Sequence, residues 1–165
     1  METKTSSSRA GEIDLTAIEE IVAARSGLPG ALLPILHEVK RRFGYIPHEA
    51  VAPIAAGLNL SRAEVHGVIS FYHDFRTEPP GRHVVRLCRA ESCQAMGAVA
   101  LEEHIVNAIG AAVGQTSSDG EFTFEPVYCF GNCACSPALM IDDRLYGRAT
   151  PQTFDAALAL CRKKP

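Results

Sequence analysis

Apolar positions in the first half of the chain recur at helical intervals. Leu15, Ile18 and Val22 fall on one face after Asp14, whose carboxylate is a suitable N-cap, and Gly27 marks the end of that helix. Leu32, Leu36, Val39 and Phe43 recur at i, i+4, i+7 and i+11. Lys40, Arg41 and Arg42 follow in the last turn, where cations complement the helix dipole, and Gly44 stands just beyond as a stop. A third helix is expected from Pro47 to Gly57, with Pro53 disturbing its interior. Ser61-Arg62-Ala63-Glu64 reads as a capping box, ahead of Val65, Val68, Ile69 and Tyr72 at helical spacing.

The pattern changes after Arg76-Thr77-Glu78-Pro79-Pro80-Gly81-Arg82, a stretch poor in apolar residues and stiffened by two prolines, which reads as a linker. His83 to Leu87 is expected to form a strand, Gln94 to Ile109 a helix, and Phe122, Phe124 and Val127 a second strand. Ala138 to Ile141 and Arg144 to Tyr146 flank Asp142-Asp143 as a hairpin. Thr150-Pro151 then opens a last helix carrying Phe154, Leu158 and Cys161. The expected organisation is a flexible tail over 1–11, a helical bundle over 12–78, and an α/β domain over 82–165.

Composition narrows the function classes. With 47% hydrophobic residues in 165, the chain can build real cores. Its 16 basic and 19 acidic residues leave a net charge of -3, which favours neither nucleic acid nor an anionic membrane. No apolar run approaches the roughly 20 residues that cross a bilayer, because Glu102, Glu103 and His104 interrupt the best candidate. The N-terminus lacks the apolar core of a secretory signal, so a cytoplasmic location is expected. In a reducing compartment, cysteines point to metal ligation or catalysis before disulfides.

The six cysteines are informative through their spacing. Cys88-x4-Cys93 follows the first expected strand of the second half, and Cys129-x3-Cys133 follows the next. Loops at strand ends converge on positions the strands hold fixed, which is what a centre with four protein ligands needs. A two-iron cluster with two thiolates per iron suits two separate pairs. Gly131, between the second pair, can take positive φ and turn backbone N–H groups toward an anionic cluster, and Gly97 and a helix start near Cys93 add dipoles of the same sign. From spacing alone a four-cysteine zinc site stays open, in which the thiolates only staple loops of an interaction module.

Other features carry less. There is no C-x2-C for thiol exchange, no haem attachment motif, no Rieske ligand set, no dinucleotide fingerprint and no Walker loop. Cys135 reads as a small buried residue beside the centre, with replacement of Cys133 as ligand as the alternative, and Cys161 as core packing on the last helix. His37, His48, His66, His73 and His104 read as single residues on helices. His83, five positions before Cys88, reads as an ordinary strand residue, with tuning of the cluster as the alternative.

The segments Cys88-Arg89-Ala90-Glu91-Ser92-Cys93-Gln94-Ala95-Met96-Gly97 and Cys129-Phe130-Gly131-Asn132-Cys133-Ala134-Cys135-Ser136-Pro137-Ala138 resemble the thioredoxin-like [2Fe-2S] ferredoxin family. The helical half is similar too, through Leu32-Leu33-Pro34-Ile35-Leu36-His37-Glu38-Val39, Gly44-Tyr45-Ile46-Pro47 and Val65-His66-Gly67-Val68-Ile69-Ser70-Phe71-Tyr72. That family includes the small ferredoxin subunit of NADH dehydrogenase, its relatives in NAD-linked hydrogenases, and the gamma subunit of soluble NAD-dependent formate dehydrogenases. The first cysteine segment looks most like the formate dehydrogenase gamma subunits. The resemblance implies an N-terminal helical bundle followed by a thioredoxin-like α/β domain, with one [2Fe-2S] cluster on Cys88, Cys93, Cys129 and Cys133. It implies an electron-transfer subunit with no catalytic residue of its own, partnered by a flavin- and NAD-binding subunit. For formate dehydrogenase it adds a larger molybdenum- or tungsten-containing catalytic subunit. The family often has Ala-Pro after the last ligand where this chain has Ser136-Pro137, and the fold implies a cis bond there.

Overall fold

The computed structural model describes residues 13–163, so the tail expected over 1–11 lies outside the described residues. The chain divides at Pro79/Pro80 into two compact units.

The first unit is helical. Asp14 caps α1 (Leu15–Arg25), its carboxylate accepting from the Ala17 N–H at 3.1 Å. Helix α2 (Leu32–Phe43) ends on Gly44 at φ 84, whose N–H donates to the Lys40 carbonyl at 2.7 Å. The proline expected to disturb the third helix does not. A 3-10 turn over His48–Ala50 leads into α3 (Val51–Leu58), which places Pro53 in the first turn, where a backbone N–H has no intrahelical acceptor to lose. Ser61 and Glu64 make the full capping box of α4 (Arg62–Phe71), with Ser61 N to Glu64 Oε2 at 2.8 Å and Glu64 N to Ser61 Oγ at 3.1 Å. Tyr72 lies one residue past the helix, in extended backbone, and His73 follows in a turn, so neither is helical as expected. Ile18, Ile35, Leu36, Val39, Ile54 and Val65 are buried together as the centre of this unit.

The second unit is built on a four-stranded sheet in the order β2-β1-β3-β4. Strand β1 (His83–Cys88) pairs parallel with β2 (Phe122–Val127) in the register His83 to Phe122 and Cys88 to Val127. A parallel pair needs a crossover, and helices supply it. The single helix expected over Gln94 to Ile109 is two: α5 (Glu91–Ala95) and α6 (Ala98–Ile109). They are separated at Met96-Gly97, where Gly97 takes φ 93 and cannot continue a right-handed helix. Strand β3 (Leu139–Ile141) runs antiparallel to β1, and the turn at Asp142-Asp143 returns β4 (Arg144–Tyr146) alongside it. Thr150 Oγ1 accepts from the Thr153 N–H at 3.2 Å and caps α7 (Pro151–Lys163). Val85, Leu87, Phe124, Leu139, Ile105 and Phe154 form the buried centre beneath these helices. This βαβ crossover with an added β-hairpin and final helix is the thioredoxin-like α/β arrangement.

Candidate metal centre

Parallel pairing brings the C-terminal ends of β1 and β2 side by side, and both cysteine pairs leave from that edge. Cys88 closes β1, its N–H donating to the Ala138 carbonyl at 3.0 Å, and the next N–H, of Arg89, donates to the Val127 carbonyl at 2.7 Å. Cys93 sits on α5, held by its N–H to the Ala90 carbonyl at 3.0 Å. Cys129 stands two residues past β2, and Cys133 opens a 3-10 turn over Cys133–Cys135. Strand register therefore fixes one member of the first pair directly, and the turn between Val127 and Ser136 presents the second.

The two pairs differ in burial. Cys88 and Cys93 are each 2% exposed in a small apolar pocket with Ala98 and Ala138, against which Ala90 and Phe130 pack, whereas Cys129 and Cys133 face solvent. Cys129 Sγ and Cys133 Sγ are 3.8 Å apart. Backbone donors converge on the sulfurs. The N–H of Gly131, which has φ 76, donates to Cys129 Sγ at 3.2 Å. The backbone N–H groups of Ala90 and Phe130 act to lower the Cys88 thiol, and that of Ala138 the Cys93 thiol. Phe130, the residue after Cys129, packs against the pocket that holds Cys88 and Cys93 and so links the two pairs.

Titration follows from these surroundings. Burial, reinforced by the facing Cys93 sulfur, pushes the Cys88 thiol up, though the Ala90 N–H works against it. Cys93 is buried too, yet the Ser136 hydroxyl and Cys88 hold its thiol down. The hydrogen bond with Cys129, then its charge, pushes Cys133 up. In the first pair one thiol is held down while its neighbour is pushed up, as expected for two closely coupled groups.

Four thiols in two pairs, with N–H donors aimed at them, fit a two-iron cluster. They fit a single zinc ion less well. Zinc held by four thiolates at about 2.3 Å needs all six sulfur separations near 3.8 Å, and among the described residues no three of these sulfurs lie within 4.8 Å of one another. The bond Ser136-Pro137 is cis.

Other expectations fall differently. Cys135 is partly exposed, its carbonyl accepting from the Arg148 N–H at 2.7 Å, and is not the buried residue foreseen. His83 begins β1 and Cys88 ends it, so His83 stands at the far end of the strand from the cysteines and does not tune them. Sequence reading missed Ser136 as a functional group. Its hydroxyl lies 3.5 Å from Cys93 Sγ, 2.8 Å from Ser92 Oγ and 2.9 Å from the Cys133 carbonyl, and the departure from Ala at this position was the available signal. Beside it, a cavity of about 470 Å³ is lined by Ser92, Met96, Cys133, Ser136, Arg148 and Thr150.

Known proteins resemble this chain over most of its length. Residues 18–162 match the family model for thioredoxin-like [2Fe-2S] ferredoxins. The chain is 34% identical over 140 residues to a subunit of the NADH-quinone oxidoreductase of Pseudomonas aeruginosa, covering 85% of this chain and 84% of that one. It is 31% identical over 143 residues to the HndA subunit of the NADP-reducing hydrogenase of Solidesulfovibrio fructosivorans, with the same coverage of 85% and 84%. A crystal structure of NAD+-reducing [NiFe]-hydrogenase in the air-oxidized state superposes with a TM-score of 0.70 at 26% identity, covering 81% of this chain. The chain spans only 23% of that hydrogenase chain.

Proposed function

This chain belongs to the thioredoxin-like [2Fe-2S] ferredoxin family, and on that premise we propose that it is the electron-transfer subunit of an NAD-linked oxidoreductase complex, with Cys88, Cys93, Cys129 and Cys133 as cluster ligands. The observation that carries this reading is the emergence of both cysteine pairs from adjacent ends of β1 and β2, with Phe130 packed on the pocket of Cys88 and Cys93. The [2Fe-2S] cluster of the family supplies one-electron exchange when bound. The protein supplies the rest. Strand ends and the Cys88 N–H to Ala138 bond hold the ligand geometry, so little of the chain has to move when charge arrives. Amide dipoles from Ala90, Phe130, Gly131 and Ala138 favour negative charge on the sulfurs. The apolar pocket around Cys88 and Cys93 excludes water from one side, and the exposed Cys129 and Cys133 side is the edge open to electron transfer.

The exchange partner in this reading is a flavin- and NAD-binding subunit, supported by the complexes that the relatives are named for. The helical unit, residues 12–78, is its docking element, and residues 82–165 carry the redox site. Phe71 and Tyr72, exposed by 73% and 42% and in edge contact at 5.1 Å, offer the apolar surface for docking. As parent complex, formate dehydrogenase is supported by the segment Cys88 to Gly97, and brings with it a molybdenum- or tungsten-containing subunit. NADH:quinone oxidoreductase and NAD(P)-reducing hydrogenase are supported by the relatives.

Anaerobic purification tests the core of the reading. About two irons and two acid-labile sulfides per chain are expected, with a red-brown colour and a paramagnetic signal on reduction. Serine at any one of the four cysteines should lower cluster content. Colourless protein with one zinc per chain would overturn the assignment, and the subunits that co-purify with the native chain identify the parent complex.

A further inference from the structure

A second group of metal-ligating side chains lies at the other end of the sheet. A ring nitrogen of His83, the Sγ of Cys161 and a carboxylate oxygen of Asp142 all lie within 4.8 Å of one another. We propose that His83 and Cys161, with Asp142 orienting the imidazole, form a site for one divalent transition-metal ion of the zinc class, independent of the four clustered cysteines. His83 and Cys88 are the first and last residues of β1, about 16 Å apart at the rise of an extended strand.

The arrangement is held before any ion arrives. Asp142 Oδ2 accepts from His83 Nδ1 at 2.9 Å, and Asp142 Oδ1 accepts from the Val84 N–H at 2.9 Å. The Asp142 N–H in turn donates to the Val84 carbonyl at 2.8 Å, which fixes the turn on the end of β1. The imidazole stacks on Phe122 with ring centres 5.6 Å apart. A neutral His83 that donates Nδ1–H to Asp142 leaves Nε2 as a bare acceptor, and Nε2 is buried with no hydrogen-bond partner. An unpaired buried acceptor is an exception among folded proteins and calls for a partner. A carboxylate on one imidazole nitrogen and a metal on the other is the usual way a ligating histidine is oriented.

The donor set selects the ion. Imidazole and thiolate with a carboxylate nearby suit zinc and its neighbours, and do not suit magnesium or calcium, which take oxygen ligands. With His83 Nε2 and Cys161 Sγ as the protein ligands and Asp142 behind the imidazole, two coordination positions are left over. The site opens on a cavity of about 460 Å³, lined by His83, Asp142, Asp143, Arg144, Leu160 and Cys161, that can supply water as the remaining ligands. The Arg144 guanidinium is drawn aside over the Tyr146 ring, 5.3 Å from its centre.

Zinc titration of the cluster-loaded chain against a chromophoric chelator tests the site. One zinc per chain is expected, with the visible spectrum of the cluster unchanged. His83→Gln and Cys161→Ser should each abolish this uptake. Asp142→Asn should weaken it about 10- to 100-fold, the usual loss when the partner of a ligating histidine is removed. Circular dichroism and retained cluster absorbance report that each variant is folded. Absence of stoichiometric uptake by the parent chain overturns the proposal. So does uptake that bleaches the cluster, or uptake left unchanged in both His83→Gln and Cys161→Ser, since zinc then sits on the four clustered cysteines or elsewhere.

Discussion

The Cys93 thiol lies 3.5 Å from the Ser136 hydroxyl across 43 positions of sequence, and that hydroxyl is itself 2.8 Å from Ser92 Oγ. Once Cys93 is a thiolate ligand it has no proton to give, so Ser136 becomes the donor, with Ser92 able to donate behind it. A hydrogen bond to sulfur strengthens as electron density rises on reduction. Ser136→Ala should therefore shift the midpoint potential of the cluster to more negative values. A tenfold change in relative stability of the two redox states is about 59 mV for a one-electron couple. Redox titration followed by electron paramagnetic resonance reads the shift, and a potential equal to that of the parent chain would remove Ser136 from the account.

Gly147 closes the second cysteine loop from the far side. A Cβ built there stands 2.7 Å from Cys135 Cβ, 3.0 Å from Asn132 Nδ2 and 3.2 Å from the Cys135 carbonyl oxygen. Gly147→Ala must push the turn that holds Cys133, at a cost of about 1 to 3 kcal/mol for overpacking. Lower cluster content and a lower melting temperature are expected, measured by iron analysis and calorimetry. Gly67→Ala, where nothing lies within 4 Å, is the control and should leave the cluster intact.

Leu36 is fully buried at the centre of the helical unit. Leu36→Ala should cost about 2 to 5 kcal/mol through lost burial and the cavity left behind. Denaturant unfolding followed by far-ultraviolet circular dichroism measures it, and a loss under about 1 kcal/mol would show that neighbouring helices close the gap.

The capping box of α4 makes a pH prediction. The Ser61 backbone N–H, then the Ser61 hydroxyl, holds the Glu64 carboxyl below its ordinary value of 4.5. A carboxyl that is more acidic in the folded chain stabilises it above the unfolded value. That contribution fades as pH falls through the lower folded value. The stability difference between the parent chain and Glu64→Gln should thus be largest above pH 4.5 and shrink on acidification. Chemical denaturation at a series of pH values reads this directly, and a difference independent of pH would count against the cap.

Local features were legible in the chain because they depend on neighbours within about four residues. The Asp14 cap, the Gly44 stop and the Ser61-Glu64 box each join groups no further apart than one helical turn, and the sequence places them correctly. Fold class followed from the change of hydrophobic period after the two prolines, and the family and its [2Fe-2S] cofactor from the cysteine segments. Finer local outcomes were harder. Pro53 was tolerated because a 3-10 turn shifted the start of its helix, and Met96-Gly97 broke a run whose apolar spacing reads as continuous.

By itself, then, the amino-acid order determined most of the helices, the caps at Asp14, Gly44 and Ser61, the two cysteine pairs and the family they belong to, since all of these are written in spacing and local hydrogen bonding. Only the tertiary structure decided which distant groups meet. Parallel register between β1 and β2 set the cysteine pairs on one edge, and the same strand carried His83 to the opposite end, beside Asp142 and Cys161. Contacts such as Cys93 with Ser136 arise from the packing of the whole sheet, which fixes positions that no short stretch of chain can specify.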